Sequence, residues 1–396
     1  MSGAVEANAT TDETGTVSSR ERLFAAMRGE PVDRVPIWMR EGFPVERPLP
    51  ESDDFTRGWM ADPLYQELYD YVEPHMDRTF GWGGGGFNRT IVIPPGSMKS
   101  EEIARTDDYV RRRTTISTPR GELTSVREQR RGMATGWALE YPVKTKDDLA
   151  ALAEVPFEVN EEAVESAYQS YLDAEERAGN RGAPWAFISS PIVCISGTMS
   201  FELFLELSLT ERDWFHELLE EITRRNLAIL EAIFSHGPID SVWTLGGSEQ
   251  CTPPMMAPAA YDELVVRYDG QIVEFLHEQG CPVNIHCHGK VAHALKGMVA
   301  EDADGTDPVE PPPAGNTTYG EAREIVGDDL TLLGNMEFDM LEHGEPAEIR
   351  RHVRDQLSYG KERLIMTTSA GPISRVSRRL VDNYKAWIDA ALECGS

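Results

Sequence analysis

The fold is decided by a short apolar run that reads SVWTL at 241–245 and is followed, after a helical interval, by VNIH at 283–286. Similar runs occur at 185–188, 330–334 and 364–367. Helical periods separate most of these runs, and a regular alternation of strand and helix is typical of a parallel sheet. The sequence therefore predicts an α/β protein.

Such a repeat can close in two ways, as a doubly wound open sheet or as an eight-fold barrel. No G-x-G-x-x-G follows an early strand, as a dinucleotide-binding sheet would require. The glycine run Gly83 to Gly86 has no Lys-Ser or Lys-Thr after it, so it does not resemble a phosphate loop. We therefore expect a TIM-type (β/α)8 barrel, whose chemistry lies where the strands end.

The N-terminal part of the chain has its own signals. Residues 1–17 have no apolar period, which predicts a disordered tail. Ser18 and Glu21 have the spacing of a capping box for a helix that ends at Gly29. A strand over 35–39 is expected to follow.

A different pattern occupies residues 90–142. Short β-prone pieces there surround Pro119-Arg120-Gly121, a plausible hairpin turn. We interpret this stretch as a β-hairpin insertion over one end of the main body. The rest of 18–396 is expected to form a single barrel domain.

Composition narrows the choice of partners. The 396 residues include 67 acidic and 38 basic ones, a net charge of −29, and this field repels nucleic acid and anionic lipids. The chain has no apolar run of membrane-spanning length and no N-terminal signal region, so we expect a cytoplasmic protein with a small-molecule substrate.

The five cysteines are expected to be thiols or metal ligands. Helix faces rich in Leu and Ala could support a homodimer.

Polar residues follow the ends of the predicted strands. They are Arg40, Glu249, Cys251, His286, His288, Asp307, Glu310, Asn335, Glu337 and Ser369. Asp, Asn and Ser are also ordinary residues of turns and caps. Asp307, Asn335 and Ser369 therefore have two interpretations, positioning of a substrate or a purely structural role.

The histidine pair is the sharpest local signal. In a strand the side chains at i and i+2 point to the same side, so His286 and His288 could hold one Zn²⁺. The third ligand would come from the preceding strand end, where Glu249 and Cys251 are the candidates. The alternatives are a buried structural histidine beside a capping one, or a general acid near neutral pH.

Arg40 ends an otherwise apolar strand and is expected to face the barrel mouth. Its guanidinium could bind a carboxylate or phosphate of a substrate in bidentate fashion. The alternative is an internal ion pair with Glu41 or Asp77.

Several of these segments carry a family likeness. The stretches RERL at 20–23 and GEPVDRVPIWMR at 29–40 resemble the start of the uroporphyrinogen decarboxylase family, and the similarity extends through LGN at 333–335 to Gly371. The resemblance implies a TIM-type barrel with its site at the C-terminal mouth. The superfamily also contains zinc-dependent methyltransferases that move methyl groups to or from corrinoids and coenzyme thiols.

The chain departs from both branches of that superfamily. Decarboxylases follow the Met-Arg pair with Gln-Ala-Gly-Arg, whereas Glu41-Gly42-Phe43-Pro44 follows here, so only Arg40 carries over. Their tyrosine falls near Gly197 and their final-loop histidine near Ala370. The methyltransferases carry His-x-Cys where this chain has His286-x-His288, and their distant cysteine also falls near Ala370.

Three functions follow from the resemblance. The first is a metal-assisted methyltransferase with His286, His288 and Glu249 on zinc, Arg40 orienting an acidic portion of the substrate, and Asp307 or Asn335 positioning the reacting group. Its corrinoid would arrive on a partner protein. The second is cofactor-free decarboxylation of tetrapyrrole acetate groups in porphyrin biosynthesis. The third is a non-catalytic protein that binds a tetrapyrrole or corrinoid.

Overall fold

The computed structural model of the chain describes residues 17–51, 53–83 and 95–395. The predicted tail, except for Val17, lies outside these residues, as do Gly84 to Gly86 and the first residues of the predicted insertion. Among the described residues, the predicted helix after Ser18 is confirmed. Ser18 Oγ accepts from the Glu21 amide at 3.2 Å, the Glu21 carboxylate accepts from the Ser18 amide at 2.8 Å, and Gly29 ends the helix with φ of 68°.

Seven parallel strands form the main sheet. They are β1 (Arg78–Trp82), β6 (Gly182–Ser189), β7 (Val242–Gly246), β8 (Val283–Cys287), β9 (Gly305–Pro308), β10 (Thr331–Met336) and β11 (Leu364–Thr368), in that spatial order. Each strand pairs in parallel with the next. The predicted α/β fold with a parallel sheet is therefore confirmed.

The predicted first strand over 35–39 was wrong as a regular strand. Ile37 forms only an isolated parallel bridge with Met366 of β11. Pro36 has no amide hydrogen, so a longer ladder would lack a donor there. The segment still contacts both edges of the sheet, because the Met366 amide donates to Pro36 O at 2.8 Å and the Asp77 amide donates to Ile37 O at 2.7 Å.

The stretch predicted to form a β-hairpin insertion contains more strands than a single hairpin. Four antiparallel strands form a second sheet in sequence order: β2 (Met98–Arg105), β3 (Tyr109–Thr118), β4 (Gly121–Arg130) and β5 (Gly136–Glu140). The turn at Pro119 and Arg120 is confirmed, since Thr118 pairs with Gly121. The Ala134 amide donates to Ile373 O at 2.9 Å, which ties this sheet to the loop after β11.

Helices connect the strands of the main sheet. They span Ser19–Arg28, Pro63–Val72, Lys146–Ala153, Glu161–Ala178, Pro191–Ser196, Phe201–Thr210, Arg212–Phe234, Ala259–Tyr261, Arg267–Glu278, Ala294–Ala300, Tyr319–Val326, Phe338–His343, Pro346–Leu357 and Arg378–Cys394. Short 3-10 helices occupy Gly58–Ala61, Pro95–Ser97 and Ser248–Cys251, and a π-type turn covers Asp262–Val266. Within the described residues, no helix is long and apolar enough to cross a membrane.

The first helix packs against the amino-terminal side of the sheet. Leu23 and Met27 are fully buried against side chains from several strands, which include Ala183, Val242, Leu333 and Ile365. Burying each large side chain contributes about 1.5–3 kcal/mol to folding. This apolar layer leaves the carboxyl ends of the strands for polar groups.

Candidate functional site

Strand β8 brings the two predicted histidines to one side of the sheet. Asn284 and His286 lie two residues apart on the strand, so their side chains point to the same face, and His288 follows just after the strand ends. The imidazole rings of His286 and His288 lie 4.7 Å apart between centroids and are nearly perpendicular, at 88°. The expectation that both rings emerge together is confirmed.

Asp307, at the end of β9, joins three donors. His286 Nδ1 lies 2.8 Å from its Oδ2, Asn284 Nδ2 donates to its Oδ1 at 2.5 Å, and Arg40 forms an ion pair with it. Burial alone would raise the pKa of Asp307, but electrostatic attraction to His286 and Arg40 and the hydrogen bonds from His286 and Asn284 outweigh burial and hold the pKa well below its ordinary value. Asp307 is therefore an anion that orients His286.

A second carboxylate holds the second histidine. Glu310 Oε1 lies 2.8 Å from His288 Nδ1, and Glu310 Oε2 accepts from the Gly289 amide at 2.6 Å. Burial opposes the charged form of each side chain, yet their hydrogen bond and mutual attraction raise the pKa of His288 and lower that of Glu310. The Nδ1 atoms of both histidines are thus engaged, and neither Nε2 atom has a hydrogen bond to the described residues.

Arg40 has partners within the protein. Besides the ion pair with Asp307, its Nε lies 3.4 Å from the Glu41 carboxylate, and its guanidinium lies 5.5 Å from the Trp38 ring centroid. The internal pair with Glu41 was anticipated, whereas the pair with Asp307 was not. Asp77 instead accepts from Arg22, Arg34 and the Ile37 amide.

The candidate third metal ligands lie on the short helix Ser248–Cys251, which packs against β8. Cys251 is fully buried. Glu249 Oε2 is also buried and has no hydrogen-bond partner in the described part of the chain. Cys287 lies between the two histidines, so its side chain points to the opposite face. Burial and, after it, the charge of Glu249 raise the pKa of Cys287.

No group of three or more His, Cys, Asp or Glu side chains suited to a metal ion is assembled among the described residues. The structure brings His286 and His288 together with Arg40 and Asp307, but it does not bring Glu249 or Cys251 into that set. The third ligand therefore stays a prediction.

Asn335 and Ser369 make structural contacts. His352, on the helix Pro346–Leu357, lies with its Nε2 3.0 Å from Asn335 Oδ1. Ser369 Oγ accepts from the Phe338 amide at 2.9 Å, at the start of the helix Phe338–His343. Neither residue lines the cavity described next, so their proposed contact with substrate also stays a prediction.

A cavity of about 410 Å³ opens in front of His286 and Asp307. Its other lining residues are Trp38, Met39, Arg40, Glu41, Phe43, Pro44, Val45, Thr79, Trp185, Ala186, Phe187 and Thr244. The volume lies near the lower end of the range for small-molecule sites, about 300–1,000 Å³.

The sequence reasoning missed three groups of this site. Asn284 precedes His286 by two residues, so strand alternation could have placed it on the same face. Trp38 and Trp185 were not named as site residues, although Trp38 follows the bridge at Ile37 and Trp185 lies on β6. Thr79 belongs to β1, which was not predicted because its sequence has no apolar run.

Comparisons with known proteins agree with this architecture. A family model described as uroporphyrinogen decarboxylase (URO-D) matches residues 132–393. A uroporphyrinogen decarboxylase of Christiangramia forsetii is 28% identical over 393 residues, which cover 94% of this chain and 97% of the relative. A second, from Flavobacterium johnsoniae, is 26% identical over 243 residues, covering 59% of this chain and 64% of the relative.

A solved structure extends the likeness to the fold. A methyltransferase from Methanosarcina mazei superposes with a TM-score of 0.58 at 17% identity, covering 95% of this chain and 98% of that chain. At this identity the likeness shows a shared fold and nothing about chemistry.

Proposed function

We propose a function for this chain, which belongs to the uroporphyrinogen decarboxylase family: it is a metal-assisted methyltransferase that acts with a corrinoid as methyl donor or acceptor. One observation carries the proposal. His286 and His288 each have Nδ1 engaged by a carboxylate, which leaves Nε2 of both rings for a metal. Histidines oriented by carboxylates in this way are typical of zinc ligands.

Zinc fits the imidazole nitrogens of these residues in its ligand chemistry. Glu249 is the proposed third ligand, because its buried Oε2 has no hydrogen-bond partner among the described residues. Its side chain would have to turn toward the histidine pair, since the described residues do not assemble the three groups. When bound, the metal would act as a Lewis acid on the atom that carries the methyl group.

The chain's own residues would prepare the transfer. Asp307 accepts the Nδ1 proton of His286 and so fixes the tautomer with its lone pair on Nε2. Arg40, held by Asp307, would orient a polar part of the substrate. In the transfer, the bond from the methyl carbon to its donor atom breaks, the electron pair stays on that atom, and the carbon bonds to the nucleophilic acceptor.

The corrinoid would be a substrate carried by a separate protein. The sequence contains no Asp-x-His-x-x-Gly segment of the kind that binds cobalamin. We also propose that the segment 35–39 closes the main sheet into an eight-membered barrel. Its backbone bonds to Met366 and Asp77, at the two edges of the sheet, support that closure.

Decarboxylation of uroporphyrinogen is the second candidate, because both curated relatives named above carry that name. The charges of the cavity speak against it. That substrate has eight carboxylates, whereas Arg40 is already paired with Asp307 and Glu41. Incubation with uroporphyrinogen decides the matter: release of coproporphyrinogen at a catalytic rate would establish decarboxylation and refute our first proposal.

Metal analysis tests the methyltransferase proposal. Protein purified without chelators is expected to hold about one zinc per chain, and His288→Ala is expected to weaken zinc binding at least tenfold. His343→Ala serves as the matched control, because the His343 side chain is exposed and, within the part of the chain that the structure describes, its ion pair is with Asp339 at 3.6 Å. Glu249→Gln should lower zinc affinity as well. A metal-free preparation with full methyl-transfer activity would contradict the proposal.

A further inference from the structure

The floor of the cavity is aromatic. The Trp38 and Trp185 rings stack with centroids 5.1 Å apart and an interplanar angle of 16°. Below them lies the apolar layer around the first helix, to which Trp185 belongs and against which Trp38 packs. Because the rings cover each other and the Arg40 guanidinium lies over Trp38, the two indoles contribute mainly their apolar edges to the cavity.

Hydrogen bonds fix the orientation of both indoles. Trp38 Nε1 donates to Thr79 Oγ1 at 3.2 Å, and Trp185 Nε1 donates to Thr244 Oγ1 at 2.7 Å. Thr79 and Thr244 also line the cavity, and each hydroxyl retains its own proton to donate. A preorganised floor of this kind loses little conformational freedom when a ligand binds.

A third aromatic ring stands at the cavity wall. Phe187 follows Trp185 by two residues on β6, so both side chains point to the same side of the sheet. Phe187 is 46% exposed although it lines the cavity. A large apolar ring left in solvent beside a cavity is typical of a ligand contact.

The charged side chains that line the cavity limit the charge of the ligand that it can bind. Arg40 is neutralised by Asp307 and Glu41, so it does not offer a free positive charge to several carboxylates. The other polar side chains that line the cavity are the two threonine hydroxyls, the imidazole of His286 and the half-exposed carboxylate of Glu41. The volume of about 410 Å³ suits a ligand of one or two rings.

We infer that this cavity binds a substrate built on one flat aromatic ring with at most one negative charge, and that its polar substituent faces His286. The inference rests on the proposed function in one respect: the methyl group to be transferred would sit on that substituent. Phe187 would select for the ring by stacking, and the apolar edges of Trp38 and Trp185 would pack against it, because aromatic contacts discriminate flat from saturated rings.

Calorimetric binding of two probes tests the inference. The probes are 4-methoxyphenol, a neutral aromatic methyl ether, and trans-4-methoxycyclohexanol, its saturated counterpart. The wild-type chain is expected to bind the aromatic probe about tenfold more tightly, and Phe187→Ala to weaken that binding about tenfold, while Phe187→Tyr preserves it. Leu209→Ala is the matched control, because Leu209 is 64% exposed outside the cavity.

The outcomes distinguish a failure of the inference from a failure of the proposed function. Equal affinity for the two probes, no binding of either, or unchanged binding by Phe187→Ala would overturn it. These measurements are made on protein stripped of metal and again after zinc is restored, with circular dichroism to check that each variant folds. Normal zinc binding with no preference for the ring refutes the inference and leaves the proposed function standing, whereas ring binding with no zinc site refutes the proposed function.

Discussion

A single buried carboxylate organises the site at the level of residues. Asp307 is almost fully buried, and so is Arg40, its ion-pair partner. Removing two charges from water is costly, and the attraction between them repays that cost only when other hydrogen bonds complete the set. Asn284 and His286 supply these bonds. Each member therefore depends on Asp307 more than on its exposed neighbours.

Substitution of Asp307 measures that dependence. Asp307→Asn is expected to lower the free energy of unfolding by about 3 kcal/mol, because it leaves the Arg40 charge buried without its main counter-ion. Glu41→Gln removes the other carboxylate partner of Arg40, but Glu41 is 57% exposed, so the loss should stay within about 1 kcal/mol. Urea unfolding of both variants gives the comparison. Equal losses would contradict this account of Asp307.

The sequence could predict some residues of the site but not their partners. Because side chains two residues apart in a strand point to the same side, the spacing of His286 and His288 predicted that their rings lie together, and the rings are 4.7 Å apart. Nothing in the spacing of Arg40 and Asp307, which lie 267 residues apart, indicates that they meet. Such a pair is set by the order of strands in the sheet, which is a property of the whole fold.

Some strands of the main sheet could be predicted from an apolar run in the sequence, and others could not. β7, β8, β10 and β11 are fully or mostly buried apolar runs, and each was expected near its observed position. β9 reads Gly-Thr-Asp-Pro, and β1 contains Arg, Thr and Gly, so neither has an apolar run. In these two short strands polar residues and glycine take the places of an apolar run, so the hydrophobic pattern did not indicate them.

The loop after β11 and the segment after Arg40 meet backbone to backbone. A Cβ at Gly371 would lie 1.8 Å from Glu41 O and 2.7 Å from its carbonyl carbon. A side chain there would force the two segments apart, and such overpacking costs about 1–3 kcal/mol. Because Glu41 is the neighbour of Arg40, the displacement would also reach the cavity.

Gly371→Ala should therefore lower both stability and ligand binding. We expect a loss of about 1–3 kcal/mol in the free energy of unfolding and weaker binding of the aromatic probe. Gly81→Ala is the control, since a Cβ at Gly81 has no heavy atom within 4 Å among the described residues. If Gly371→Ala binds the probe as the wild type does, the contact has no bearing on the cavity.

On the scale of the whole molecule, two acidic side chains are buried at the helices Arg267–Glu278 and Ala294–Ala300. Asp269 and Glu301 are both buried, and the Ser190 hydroxyl donates to Asp269 Oδ1 at 2.7 Å. Burial raises the pKa of Asp269, and the Ser190 hydrogen bond offsets this only in part. Burial, and then the charge of Asp269, raise the pKa of Glu301. The folded chain therefore holds protons here that the unfolded chain releases near pH 4.

This pair should make stability fall as the pH rises. A carboxyl whose pKa is higher in the folded state binds more protons there, so its contribution is complete below about pH 4 and is lost as the pH passes through the raised pKa. Asp269→Asn removes one of the two acids, and we expect it to flatten the decline of unfolding free energy between pH 5.5 and 8 relative to the wild type. Glu176→Gln, an exposed acid, should leave the slope unchanged. Urea unfolding across that range measures all three slopes, and a wild-type slope in the Asp269→Asn chain would contradict the proposed contribution of Asp269 to the decline.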